Sequence, residues 1–145
     1  MAASPDTHVV ASQLQVSLGL LIRRLRATAN PGGATLPEIS ALARLDRGGP
    51  TTAGELAKLE QISPQSMGAT IAALESRALL IREADPADGR RSMLSITAAG
   101  RQILNDRRSA RANALADALT SEFTPAELEL FRAITPLIER LAHSF

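Results

Sequence analysis

Between Leu79 and Ile96 the apolar residues of this chain leave the helical spacing that they keep almost everywhere else. Leu79-Leu80-Ile81-Arg82-Glu83 reads as one short strand and Ser92-Met93-Leu94-Ser95-Ile96 as a second. The segment between them, Ala84-Asp85-Pro86-Ala87-Asp88-Gly89-Arg90-Arg91, carries Asp-Pro and Asp-Gly turn signals. A β-hairpin with a charged tip follows, in a chain that is otherwise helical. The expected fold is therefore mainly α with a small β-hairpin.

Two helix-start signals precede the hairpin. Thr52 can cap a helix while Glu55 reaches back to the cap amide, a capping box, with Leu56 and Leu59 on the buried side. Ser63-Pro64 then places a cap before a proline at the first helical position. The helix so begun is expected to reach about Arg77, with Met67, Ile71, Leu74 and Ala78 on one face. Gln65, Ser66, Ala69, Thr70 and Ala73 lie on another. Two short helices joined by a turn of about three residues form a helix-turn-helix. Gly68 inside the second helix costs about 1 kcal/mol relative to alanine, so a close approach of backbone or hairpin is expected there. A further helix is expected over about 36–47, with Pro37 in its first turn and Ile39, Leu42, Ala43 and Leu45 on one face. Gly48-Gly49-Pro50 ends it.

Longer helices flank this block. Residues 8–29 carry apolar side chains on more than one stripe and few polar ones until Arg23, Arg24 and Arg26. A surface helix of a monomer should have a polar side, so burial against a second copy is expected. Asn30-Pro31-Gly32-Gly33 breaks that helix. Thr97 caps a helix to about Ser121, whose Arg107, Arg108 and Arg111 are read as its wet face. Thr124-Pro125-Ala126-Glu127, another capping box, starts the last helix, and Pro136 should bend it or leave one carbonyl unpaired. The expected homodimer surface comprises Val9, Val10, Leu14, Phe123, Leu128, Phe131, Ile134, Leu137, Ile138 and Leu141. A helical dimerisation module, 1–35 with 97–145, would then carry a winged lobe at 36–96.

Composition removes several alternatives. The 145 residues include no cysteine, which excludes disulfides, thiolate nucleophiles and Cys-based zinc sites. His8 and His143 lie near opposite ends of the sequence, a poor basis for a metal site or a triad. No phosphate-binding glycine loop and no nucleophile beside a base is evident, so neither an enzyme nor a cofactor is expected. No apolar run is long enough to span a bilayer, and the start MAASPDTHVVASQLQ lacks the pattern of a secretory leader; a cytoplasmic protein is expected. Net charge is only +1, so any case for nucleic acid rests on where charges sit.

The segments D-P-A-D-G-R-R-S-M-L-S-I-T-A-A-G (85–100) and I-S-P-Q-S-M-G-A-T-I-A-A-L-E (62–75) carry a family resemblance. In this order, and with the flanking helices, the chain resembles the MarR family of winged helix-turn-helix regulators over nearly its whole length. The resemblance implies a homodimeric transcriptional regulator on double-stranded, imperfectly palindromic DNA. It implies a repressor released by a small, often aromatic, effector. Ser63, Pro64, Gln65, Ser66 and Thr70 would then meet DNA from the recognition helix, and Asp88, Arg90 and Arg91 from the wing. Free amides at a helix N-terminus suit a phosphate, Gln65 can read adenine edges, and a narrow minor groove attracts an arginine such as Arg90. Asp88 would hold that guanidinium by a bidentate pair. The family's effector pocket would involve Leu18, Leu21, Ile22, Arg23, Leu25 and Arg26. Where relatives often carry a hydroxyl residue and then an arginine, this chain has Gly68-Ala69. Read without the resemblance, Ser63-Pro64 could be only a cap and Arg90-Arg91 only a solvated turn. A winged helix used for protein–protein contact or architecture is the alternative.

Overall fold

In the computed structural model, residues 6–28, 30 and 32–145 are described. The helix order is α1 (Thr7–Ala27), α2 (Leu36–Gly48), α3 (Ala53–Glu60), α4 (Pro64–Ser76), α5 (Ala98–Glu122) and α6 (Pro125–Ala142). Strands β1 (Leu80–Ala84) and β2 (Ser92–Ile96) lie between α4 and α5. They pair antiparallel, from Leu80 opposite Ile96 to Ala84 opposite Ser92. Thr51 adds an isolated bridge to Leu94. Among the described residues no helix is long and apolar enough to cross a membrane.

Local chemistry accounts for these boundaries. Asp6 caps α1 through the His8 amide; Ala29, the expected end of that helix, and Pro31 of the expected break lie outside the described residues. Thr35 and Glu38 form a reciprocal capping box at α2, and Thr124 with Glu127 forms the one expected at α6. The expected box at α3 is only half made. Thr52 accepts from the Glu55 amide at 3.2 Å, but the Glu55 carboxylate turns to Lys58 at 2.9 Å. Gln61 closes α3 in the left-handed region at φ 55°. Pro136 remains inside α6, and its missing amide takes away a helical donor.

The chain divides into two compact units, Ala29–Ala110 and Met1–Thr28 with Arg111–Phe145. The second boundary lies beyond the expected 96/97 because the first turns of α5 pack into the winged lobe. The first lies before the expected 35/36, where Asn30 and Gly32 accept from Arg107 and Arg77 of that lobe. Ile103 and Leu104 join its core. That core is formed by Ala41, Leu42 and Leu45 of α2, Leu56 and Ala57 of α3, and Met67, Ile71 and Leu74 of α4. Leu79, Leu80, Leu94 and Ile96 complete it. Ala78, expected to extend the α4 stripe, is instead exposed at φ 54° and turns the chain into β1. Arg107, expected on a wet face, is 5 % exposed and donates to Asn30 at 2.9 Å. It falls on the same face of α5 as Gly100, Ile103 and Leu104, which explains its burial.

The α5 start is pinned to the corner after α4. The Thr97 hydroxyl accepts from the Gly100 amide at 3.1 Å and donates to the Ala78 carbonyl at 2.7 Å. A Cβ at Gly100 would stand 2.2 Å from the Leu79 carbonyl oxygen, so the crossing needs glycine. In the other unit, α1 and α6 have no buried residue among those described.

Candidate nucleic-acid interface

The inward face of α4 is core, which dictates what its outward face can do. Met67, Ile71 and Leu74 are each at most 1 % exposed, while Pro64, Gln65, Ser66, Gly68 and Ala69 are exposed. The Ser63 hydroxyl accepts from the Ser66 amide at 3.1 Å and donates to the Ser66 hydroxyl at 2.9 Å. The Thr70 hydroxyl is tied back to the Ser66 carbonyl at 3.1 Å. No hydrogen bond engages the Gln65 amide group among the described residues. Both its donor and its acceptor therefore face outward uncommitted. Gly68 has no atom within 4 Å of the position a Cβ would take. The expected close approach of backbone or wing is thus not made within this chain.

Three anchors fix the position of α4. At its C-terminal end Arg77 donates to Glu38 at 3.3 Å and to the Gly32 carbonyl. Glu38 is 8 % exposed and also accepts from the Thr35 amide, so one carboxylate serves the α2 cap and the α4 terminus together. Glu75 takes Arg82 of β1 side-on, at 3.1 and 3.3 Å, which ties α4 to the hairpin. Before the turn into α4, Glu60 accepts from Arg44 Nε at 2.9 Å and from the Ser40 hydroxyl. Burial raises the Glu60 pKa, but the Ser40 and Arg44 bonds outweigh it and hold it below the ordinary value. None of these pairs follows a short sequence interval. Only Thr35-x-x-Glu38 carries a readable signal.

The wing tip is built on aspartates turned inward. Asp85 accepts from the Ala87 amide at 2.9 Å and Asp88 from the Arg90 amide at 3.1 Å. The expected Asp88–Arg90 guanidinium pair is not made. The short Asx turn directs the carboxylate to the backbone instead. Arg90 and Arg91 are exposed, and neither guanidinium has an ion-pair partner among the described residues. The turn thus holds its aspartates against its own amides and leaves the two guanidiniums exposed.

The residues expected at an effector pocket all lie on α1. Ile22, Arg23 and Arg26 border an open hollow with Gln15, Val16 and Gly19. Leu18, Leu21 and Leu25 do not line it. Of the expected dimer residues, Leu14, Ile134, Leu137, Ile138 and Leu141 border one apolar groove. Phe123 meets Phe131 edge-on, with ring centroids 5.0 Å apart.

Comparison with known proteins agrees with this architecture. A MarR family model matches residues 33–91. An uncharacterised HTH-type transcriptional regulator of Mycobacterium bovis is 31% identical over 129 residues, covering 89% of this chain and 90% of its own. The crystal structure of a putative transcriptional regulator from Pseudomonas aeruginosa superposes with a TM-score of 0.76 at 29% identity, over 96% of this chain and 98% of that one. A Staphylococcus aureus MepR mutant bound to an oligodeoxyribonucleotide shares the fold, with a TM-score of 0.60 at 18% identity over 95% of this chain and 94% of its own. With the family model across the winged lobe and a relative aligned along nearly the whole length, this chain belongs to the MarR family of winged helix-turn-helix transcriptional regulators.

Proposed function

We propose that the protein is a sequence-specific regulator that grips an imperfectly palindromic duplex as a homodimer, and that it acts as a repressor. The observation that carries this is the outward edge of α4. It has an uncommitted glutamine in the first turn of a helix whose other face is core. In helix-turn-helix proteins the N-terminal residues of the second helix contact base edges. Ser63, Pro64, Gln65, Ser66 and Thr70 stand at that position. Arg90 and Arg91 suit the flanking minor grooves, with Asp88 shaping the turn that presents them.

Dimerisation is supported by the terminal helices. Val9, Leu137 and Leu141 are 52%, 52% and 42% exposed, a degree of apolar exposure that a second copy would cover. Release by a small effector is supported by α1, where Ile22 lies beside Arg23 and Arg26. An apolar surface next to guanidiniums suits an aromatic carboxylate or phenolate.

The test is a titration against a palindromic duplex and a scrambled one at several salt concentrations, with hydrodynamic mass measured in parallel. The expected result is a dimer whose affinity falls steeply with salt and is about a thousandfold or more higher for its operator. Equal, weak binding to both duplexes would favour an architectural or protein-binding module. A monodisperse monomer at micromolar concentration would rule out two-fold reading of a palindrome.

A further inference from the structure

From the committed and uncommitted groups along α4, we infer that this recognition helix reads an adenine–thymine core and lacks the cationic side chain that most often reads guanine. The inference rests on the proposed DNA-binding role and specifies its substrate. Guanine is most often recognised in the major groove by a guanidinium or ammonium donating to both O6 and N7. Residues 63–76 contain no arginine or lysine. The arginine that follows, Arg77, is held at the far end of the helix by Glu38 and Gly32. Cytosine is read by a carboxylate, and the one in this helix, Glu75, is taken by Arg82.

What remains on the outward face is specific in another sense. Gln65 carries a carboxamide with neither end engaged, and a carboxamide pairs bidentately with N6 and N7 of adenine. Ala69 lies one turn further, exposed, and its methyl is the kind of group that packs on the C5-methyl of thymine. Side chains four apart on a helix are separated by about 5–6 Å. Successive bases are separated by about 3.4 Å along a strand. The thymine methyl should therefore fall one or two base pairs from the adenine. Gly68 stands beside both and leaves open space where a Cβ would be, so nothing holds the helix off the groove floor.

The test begins with selection of bound duplexes from a random pool by the full-length protein. Each thymine of the enriched half-site is then replaced by deoxyuridine, which removes one methyl. Each purine is replaced by its 7-deaza form, which removes N7. One 7-deazaadenine should weaken binding about tenfold or more in wild type, and not in Gln65→Ala. One deoxyuridine should weaken it about fourfold, the value of one buried methyl, and not in Ala69→Gly. Each comparison is a ratio within one variant, so a change in that variant's stability cancels. A half-site in which 7-deazaguanine gives the dominant loss would overturn the inference and leave the DNA-binding role intact. Loss on deoxyuridine substitution that persists in Ala69→Gly would overturn the assignment of Ala69. A pool that never enriches would overturn the DNA-binding role itself, and the inference with it.

Discussion

Helices α4 and α6 carry the same kind of apolar stripe, yet one is buried and the other is not. In α4, Met67, Ile71 and Leu74 are closed over by α2, α3 and the hairpin. In α6, Phe131, Ile134 and Leu137 are 45%, 38% and 52% exposed. Periodicity specifies that a face needs cover. It does not say whether the same chain or a second copy supplies it. The unit Ala29–Ala110 encloses its core by itself, whereas the terminal helices hold a surface that solvent alone covers poorly.

The largest effects should separate these two regions. Leu42→Ala removes a side chain with no exposure from the core of the lobe, and should cost about 2–5 kcal/mol. Urea denaturation checks this, and a cost well under 1 kcal/mol would mean that the lobe does not carry its own stability. Leu137→Asp should act differently. For a dimer, stability rises with protein concentration, by about 1.4 kcal/mol per mole of dimer for each tenfold increase. Wild type should show that concentration dependence and Leu137→Asp should lose it, with sedimentation velocity reporting smaller or aggregated species. Identical concentration dependence in both would place the dimer contact elsewhere.

Two glycines give a contrast of opposite sign. At Gly100 a Cβ would press on the Leu79 backbone carbonyl at 2.2 Å, and backbone cannot swing aside as a side chain can. Gly100→Ala should cost about 1–3 kcal/mol and shift α5 away from the corner at Ala78. Gly68 is helical with open space around it. Gly68→Ala should therefore stabilise the lobe by about 0.5–1 kcal/mol while weakening DNA binding, since the added methyl stands on the outward face. Thermal melts and DNA titrations of the same preparations test both signs. A tighter-binding Gly68→Ala would refute the close approach of this helix to its ligand.

Much of this is legible in the residues. Caps at Thr97 and Thr124, the proline at the start of α4 and the 92–96 strand all follow from local rules, because each depends on groups within about four positions. What escapes such rules is interaction across distance. Arg107 reads as solvated because its neighbours are polar, and only the packing of α5 on the lobe places it beside Asn30. Residue types at 88 and 90 suggest a carboxylate–guanidinium pair, but the nearby Arg90 amide competes for the same carboxylate and takes it. A glycine inside a helix suggests a crossing at Gly68, yet the crossing glycine is Gly100. The spacing of α4 identifies the helix and its inward face, while the anchors Glu38, Glu60 and Arg82 need three dimensions.

The wing offers a smaller test, made on affinity. Arg90→Ala should reduce the salt slope by about one unit for each phosphate that its guanidinium neutralises, and weaken any preference for A·T-rich flanks. Asp88→Ala should act through the turn, because its carboxylate holds the Arg90 amide and not the guanidinium. Asp88→Asn, which keeps an acceptor for that amide, should then recover most of the affinity that Asp88→Ala loses. Failure of asparagine to rescue would show that the charge, and not the turn, is what Asp88 supplies.

The smallest effect lies in the pH dependence of the two units. Burial alone would raise the Glu60 pKa, but bonds from Ser40 and Arg44, helped by the charges of Arg44 and Arg47, bring it below the ordinary 4.5. A carboxylate whose folded pKa is depressed stabilises the fold above its unfolded value, and loses that contribution as pH falls through the folded value. Glu60→Gln has no such charge at any pH. The stability difference between wild type and Glu60→Gln should thus be constant near neutrality and close in acid, below about pH 4.5. It should be modest, because the Arg44 side chain is 38% exposed and solvent screens the pair. Glu127, in the terminal unit, is shifted the same way by its bonds to the Thr124 amide and hydroxyl, but at a fully exposed helix start. Glu127→Gln should therefore show a still weaker pH dependence than Glu60→Gln. Urea titrations at pH 7 and about pH 3.5 on both variants decide the matter. A Glu60→Gln difference that persists unchanged in acid would mean that the side chain's shape, and not its charge, holds the turn before α4.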